Sequence, residues 1–391
     1  MERSENMNFE EMIINKMKYE NKRKCQLPQR RELLLYLNNM MLTTGRSDAF
    51  FCNAFLAEAI QLIQNSIFLY EDGYFECAFY SLRESYEIFG TMLYVENGED
   101  KLSDWKKKKW IPSASDIRKD MSNRKTKDFI EGYKEIRECL KNYFSKYEKL
   151  INKSNKIIHK QGYDTFYTYR MQKKFDIRKE QKLFLNILKY SIGMGILLLA
   201  VLDPISIALA DDKIERKIPY DLVTEAFDYS YFEKILGQKD IFPKILKTKF
   251  YKKFVSQFQD KEEMNEGIYN VIRNYFWNVA RLEEIQKQKD MLSSIQLYEL
   301  EILKSGIKAA AFYYADSFIC ETTSYSGSSW ERDLSVQNKT IQINDKRFNR
   351  INGNTFISII FIENEKLYIA HDKKLTEKEQ EFLKRLERTS E

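Results

Sequence analysis

Two apolar stripes at helical spacing, separated by one tight turn, set the frame within which this chain must fold. Leu56, Ile60, Ile63, Ile67 and Tyr70 recur every three or four residues, and after Asp72-Gly73 the pattern resumes with Phe75, Ala78, Phe79, Leu82, Tyr86, Phe89 and Leu93. Residues at that spacing share one face of an α-helix. So short a turn returns the second helix antiparallel to the first. A third stripe, Phe129, Tyr133, Ile136, Leu140, Tyr143, Tyr147, Leu150 and Ile151, predicts a long helix ending near Gly162, and a fourth helix is predicted from about Lys179 through Leu202. Four such helices make an up-and-down bundle over residues 46–212.

Composition agrees with long helices. Only 13 Gly and 5 Pro punctuate 391 residues, and these are the residues that break regular structure. Hydrophobic content of 43% with 26 Phe and 25 Tyr is enough for more than one core. The formal charge of +6, from 64 basic and 58 acidic side chains, permits a nucleic-acid partner without demanding one. Cys25, Cys52, Cys77, Cys139 and Cys320 are odd in number and widely spaced, so neither a disulfide framework nor a zinc site is expected, and a reducing cytoplasm is the natural compartment. No apolar signal segment follows the initial Met-Glu-Arg-Ser-Glu. Ile192 to Leu202 is wholly apolar or glycine, but Asp203-Pro204 interrupts it after 11 residues. A bilayer requires about 20 such residues, so the segment is expected to be a buried bundle helix and not a membrane span.

Beyond the bundle the pattern changes. Residues 1–45 read as a basic N-terminal arm or lead-in helix, with Lys22-Arg23-Lys24 and Arg30-Arg31 around Pro28. Residues 213–321 read as a helical middle region of shorter, more aromatic helices, with Pro219 and Pro243 in first turns. One of its helices is expected over about Glu262 to Lys289, and another carries Leu297, Leu300 and Leu303 on through Lys308-Ala309-Ala310-Ala311 to Cys320. Residues 322–391 read as a small α+β region. It opens with a Ser/Thr-rich loop, Thr322 to Trp330, and continues with strands Thr340–Ile343, Thr355–Ile362 and Lys366–Ala370. The last two strands form a β-hairpin about Glu363-Asn364-Glu365, and a final helix runs from about Thr376 to Arg388. The expected fold class is therefore mainly α, a helical bundle followed by a helical region and a C-terminal α+β element.

Three segments carry a resemblance. Gly73-Tyr74-Phe75-Glu76-Cys77-Ala78, then Ser81-Leu82-Arg83-Glu84-Ser85-Tyr86-Glu87, and later Ser154-Asn155-Lys156-Ile157-Ile158-His159-Lys160-Gln161-Gly162 resemble the helix pair and histidine-bearing helix end of the HEPN superfamily (higher eukaryotes and prokaryotes nucleotide-binding). More narrowly, the chain is similar to the bacterial branch in which an LR-x-x-x-E helix precedes a Ser/Asn-x-x-x-His element. The resemblance implies a four-helix fold over residues 46–212 and a homodimer whose paired bundles form a metal-independent endoribonuclease site, with no cofactor. It implies roles in bacterial anti-phage defence and as an RNA-targeting toxin. In active members an arginine followed by a polar residue, and then a histidine, act on the RNA 2′-OH and the scissile phosphate. Histidine is the side chain whose ordinary pKa suits a general base near neutrality, and the fixed cation answers charge developing on phosphorus.

On that pattern the candidate catalytic residues are His159, Lys153 and Asn155, with Arg83 and Glu87, four apart on one helix face, as site support. Lys153 stands where the family has arginine, and a lysine is a point charge instead of a bidentate fork. The bland alternatives stay open: His159 closing the bundle by a hydrogen bond at a helix end, and Arg83–Glu87 as a plain ion pair. Basic nucleic-acid candidates are Lys106, Lys107, Lys108 and Lys109 between Trp105 and Trp110, and Lys249, Lys252 and Lys253 on an amphipathic segment. For each, a plain solvated surface is the default reading. No Gly-rich phosphate loop, metal cluster or nucleophile elbow is present, and His371, the second of two histidines, reads as incidental. Two functions of different class follow: an endoribonuclease whose partner is RNA, and a noncatalytic helical scaffold that dimerises and binds a protein or nucleic acid, the C-terminal region recognising the partner.

Overall fold

A computed structural model describes residues 9–17, 25–42, 50–96, 99–107, 117, 128–166, 177–218, 226–314, 319–324, 347–352, 355–362 and 365–388. The chain forms two compact units. The first comprises residues 1–215 with 222–259, and the second 216–221 with 260–391. The 213–321 middle region is thereby divided between them.

The first unit is helical. Its elements are α1 (Phe9–Met17), α2 (Arg30–Leu42), α3 (Phe50–Glu71), α4 (Phe75–Glu96), α5 (Glu99–Lys106), α6 (Asp128–Cys139), α7 (Lys141–Ile158) and α8 (Ile177–Leu202). Two short turns, Ile205–Ala208 and Asp212–Glu215, precede α9 (Ser230–Lys234), α10 (Ile241–Leu246) and α11 (Lys249–Val255). The first two stripes behave as expected: Leu56, Ile60, Ile63, Ile67 and Tyr70 are buried against Phe75, Phe79, Leu82 and Phe89. Gly73, at φ +87, supplies the left-handed residue that the α3–α4 turn requires. The third stripe is not one helix, because the chain breaks at Leu140 (φ −109, ψ 28) into α6 and α7. The lead-in arm is also more than an arm, since Leu33, Leu37 and Met40 of α2 are fully buried. Residues 99–106 are helical, with the Trp105 and Phe55 ring centres 4.7 Å apart.

α8 is long and apolar enough to cross a membrane, yet 78% of its apolar window is buried within the protein. It packs against α2, α3, α4, α6 and α7. Its two glycines make that wrapping close. A Cβ on Gly193 would stand 2.5 Å from the Tyr143 hydroxyl, and one on Gly195 would stand 2.5 Å from Phe89 Cζ and 2.6 Å from Met40 Cε. The helix stops where Asp203 turns its carboxylate back to accept from the Ile205 N–H at 3.3 Å. Gly195→Ala is therefore expected to overpack the centre of the unit and cost about 1–3 kcal/mol, read as a lower urea midpoint with unchanged slope.

The second unit is a five-stranded antiparallel sheet with helices. Its elements are α12 (Glu266–Asn274), α13 (Leu282–Lys287), α14 (Ser294–Lys304), β1 (Ala309–Tyr314), β2 (Ile319–Thr323), β3 (Arg350–Asn352), β4 (Thr355–Ile362), β5 (Glu365–His371) and α15 (Glu377–Arg388), in strand order β2-β1-β5-β4-β3. β4 and β5 pair from Phe356 opposite His371 to Ile362 opposite Glu365, as the hairpin reading expects. Both sheet faces are buried: Phe312, Ile360, Ile362, Leu367 and Ile369 on one, Ala311, Tyr313, Ile357, Ile359 and Tyr368 on the other. The early residues 216–218 belong here because Arg216 holds Glu266 at 3.2 Å and its carbonyl accepts from Met264 N–H at 2.8 Å.

Two expectations are corrected in this unit. Lys308-Ala309-Ala310-Ala311 to Cys320 is not a helix but the β1–β2 pair; the small alanines sit in a sheet buried on both faces, and that setting overrides their helical propensity. The same correction places Thr322 in a strand, not in the Ser/Thr-rich loop. The single helix over Glu262 to Lys289 is also broken. Tyr275 adopts a left-handed conformation (φ 50) and turns the chain so that Trp277 enters the core, its indole N–H donating to Glu299 Oε2 at 2.7 Å and Thr322 Oγ1 at 3.0 Å. The Thr340–Ile343 strand, Glu363 and Asn364 lie outside the described residues.

His371 is built into this sheet. Its Nδ1–H donates to the Lys373 carbonyl at 2.6 Å, so Nε2 accepts from the Ser358 hydroxyl at 2.9 Å, and the ring stacks on Phe356. Burial pushes its pKa below the ordinary value of 6.5. The unfolded chain consequently takes up the proton first as pH falls. This contribution to stability is complete above the unfolded pKa and declines as pH drops below it. Thermal melts between neutral and mildly acidic pH should show a fall in melting temperature that is smaller in His371→Asn than in the wild type; equal pH dependence would show that His371 is not the group responsible.

Candidate functional site

The expected site residues come from two antiparallel helices of the first unit, α4 and α7, and the contacts between them fix their register. At one end the Lys160 ammonium pairs with Glu76. Next, the Tyr80 hydroxyl donates to the Ile158 carbonyl at 3.1 Å, using one of the orphan acceptors at the end of α7. Further along, the Tyr86 hydroxyl donates to Asn155 Oδ1 at 2.9 Å, and Glu87 and Asn152 face a common cavity. Arg83 lies on α4 between the levels of Tyr80 and Tyr86, which places it in register with the Asn155-to-His159 stretch.

Arg83 binds Glu87 at 2.6 Å, the i,i+4 pair that the sequence spacing suggested. Its Nε is buried and makes no hydrogen bond to the described residues, so part of the guanidinium's donor capacity is unspent. Ser154 and Ile158 are buried and continue the core stripe, as expected.

His159 is exposed and terminates α7 (φ −86, ψ 9). The backbone performs the capping, with the His159 N–H donating to the Asn155 carbonyl at 2.8 Å. The imidazole has no hydrogen bond to the described residues. At about 100° per residue Asn152 and Asn155 fall within about 40° of His159, whereas Lys153 falls about 120° away, on the outer face. Lys153 is exposed there. Arg83 and Glu87 thus lie on α4 and Asn155 on the edge of α7 that meets it, while His159 follows at the end of α7 and Lys153 stands on the outer face.

Beside the seam, a cavity of about 430 Å³ opens between α4, α6, α7 and α8. Phe144, Ile151, Met194 and Leu198 form its apolar wall, while Tyr86, Tyr133 and Tyr147 bring hydroxyls to it. Its polar edge holds Glu87 and the Arg137–Glu148 ion pair at 2.8 Å. Burial raises the Tyr133 pKa, so this phenol stays protonated and able to donate. Tyr80, Tyr86 and the cavity were not singled out from the sequence. Their roles depend on which positions of α4 face α7, and hydrophobic periodicity does not name a helix's partner.

The basic candidates lie elsewhere. Lys106 ends α5 and Lys107 follows it, both exposed; Lys108 and Lys109 lie outside the described residues. Lys249, Lys252 and Lys253 are exposed on α11, which docks on α6 through Phe250 over Gly132 and the Phe250 N–H to Glu135. Among the described residues no group of three or more His, Cys, Asp or Glu side chains is arranged to hold a metal ion.

No protein-family model, curated protein or solved structure matches the chain. The seam must therefore be tested on its own chemistry. Tyr86→Phe removes one hydrogen bond and leaves Asn155 Oδ1 without its donor, for an expected loss of about 1 kcal/mol in urea unfolding. In that background Asn155→Ala should cost less than it does alone, a coupling that a double-mutant cycle reads directly.

Proposed function

We propose that the first unit is a HEPN-like, metal-independent endoribonuclease of the cytoplasm, acting as a homodimer and serving as an RNA-targeting toxin in bacterial anti-phage defence. The observation that carries this reading is the state of His159: an exposed imidazole with no hydrogen bond to the described residues, at a helix end whose cap the main chain makes, four residues after Asn155, whose amide oxygen accepts from Tyr86. In this reading His159 takes the proton from an RNA 2′-OH. The 2′-oxygen attacks the adjacent phosphorus, the P–O5′ bond breaks, and the 5′-oxygen leaves with a proton from solvent, giving a 2′,3′-cyclic phosphate and a 5′-hydroxyl. Arg83 supplies a cation for charge on the phosphoryl oxygens, and Asn155 supplies an amide donor.

A second reading draws on Lys153. With that residue on the outer face and Arg83 already engaged by Glu87, the bundle can serve as a noncatalytic scaffold that dimerises and binds a protein or nucleic-acid partner, with the second unit recognising it. The same experiment separates the two. Total RNA and transfer RNA are incubated in EDTA with wild type and His159→Ala. His159 is exposed, so the variant should melt within experimental error of the wild type. The ribonuclease reading expects wild-type cleavage to 2′,3′-cyclic ends and a loss of at least about a hundredfold in the variant. Equal cleavage by both, or none by either in well-folded samples, removes His159 from catalysis and leaves the scaffold.

A further inference from the structure

We propose that the outer face of α7 is a track for single-stranded RNA leading to His159, a substrate-binding surface that rests on the ribonuclease reading but can be tested by binding alone. Lys149, Lys153 and Lys156 follow at steps of four and three. Such spacing makes one stripe along a helix, and at 1.5 Å per residue this one runs about 10 Å. Lys146, one turn earlier, lays its ammonium 5.0 Å from the centre of the Tyr190 ring, and Lys160 pairs with Glu76 at the α4 seam. Lys146, Lys149, Lys153 and Lys156 are exposed. Glu148, the acid of α7, is engaged by Arg137. Among the described residues Lys149, Lys153 and Lys156 have no ion-pair partner. The off-seam position of Lys153 is explained by membership of this row.

The end of the track carries an aromatic platform. Tyr163 is 75% exposed and Phe166 is 38% exposed, with their rings 5.7 Å apart. The turn that presents them is fixed: Gly162 sits at φ +108, and its carbonyl accepts from the Thr165 N–H at 3.0 Å and from Thr165 Oγ1 at 2.7 Å. A row of ammonium groups that ends in exposed rings suits a phosphate backbone and an unstacked base. A duplex hides its base faces, which makes a single strand the fitting occupant. An anionic membrane fits less well, because an interfacial helix inserts an apolar face and the apolar face of α7, including Tyr143, Phe144, Leu150 and Ile151, is already buried.

The test is fluorescence anisotropy of a labelled short single-stranded RNA with the full-length His159→Ala chain, which excludes cutting, across a range of salt. Each phosphate neutralised on a single strand contributes about 0.7 to the slope of log K against log salt. The combined Lys149→Gln, Lys153→Gln, Lys156→Gln variant should therefore bind more weakly, with the slope reduced in magnitude by about 2. Tyr163→Ala should weaken binding about tenfold and leave the slope alone, while Tyr163→Phe keeps the affinity. An unchanged slope and affinity in the lysine variant, equal affinity for duplex RNA, or preference for anionic vesicles would overturn the proposal. RNA binding that depends on the lysines in a wild type that cuts nothing would sustain the track and count against the ribonuclease. Cleavage by a wild type whose binding ignores the lysines would do the reverse.

Discussion

Everything in the first unit depends on hiding α8. Ile192 to Leu202 carries no polar side chain, so no face of the helix can be left to water, and α2, α3, α4, α6, α7 and α9 close around it. Close wrapping needs backbone-to-side-chain approach, which Gly193 and Gly195 permit under Tyr143 and Phe89. Tyr143 pays its polar group's way by donating to the Tyr190 carbonyl at 2.8 Å while its ring stacks on Tyr190. Burial of that phenol drives its pKa well above the ordinary value, so the donor is never lost.

The candidate site follows from the same constraint. Because the apolar stripe of α7 must face α8, the opposite side of α7 is left to solvent, and that is where the lysine row stands. Positions at the edge between the two faces meet α4. They are neither buried enough to be apolar nor exposed enough to be free, and they are filled by groups that pair: Tyr86 with Asn155, Tyr80 with the Ile158 carbonyl, Lys160 with Glu76. His159 makes no side-chain hydrogen bond to the described residues, and it falls at the end of the helix, where the main chain supplies the cap.

The second unit shows where local preference yields to context. The Ala309–Tyr314 segment is rich in alanine, but its neighbours are the strands β2 and β5, with the strongly β-branched β4 next beyond β5, and a sheet with two buried faces accepts small residues at its centre. Glu262 to Lys289 has helical periodicity throughout, yet Trp277 reaches Glu299 and Thr322 only because the chain turns at Tyr275. In both places a partner far along the chain decided the outcome.

The sequence by itself determined the helix pair about Gly73, the buried character of α8, the β4–β5 hairpin and the final helix, since each follows from periodicity or turn chemistry within one short window. It also held the lysine row in plain view at steps of three and four, legible once α7 is taken as a helix with one face buried. Only the tertiary structure decided that Lys153 stands exposed on the outer face of α7, that Arg83 lies on α4 between Tyr80 and Tyr86, which both bond to α7, and that Tyr86 clamps Asn155. Those facts depend on which helix packs on which and at what level. That choice is made by the burial of whole faces, a collective quantity that no window of residues contains.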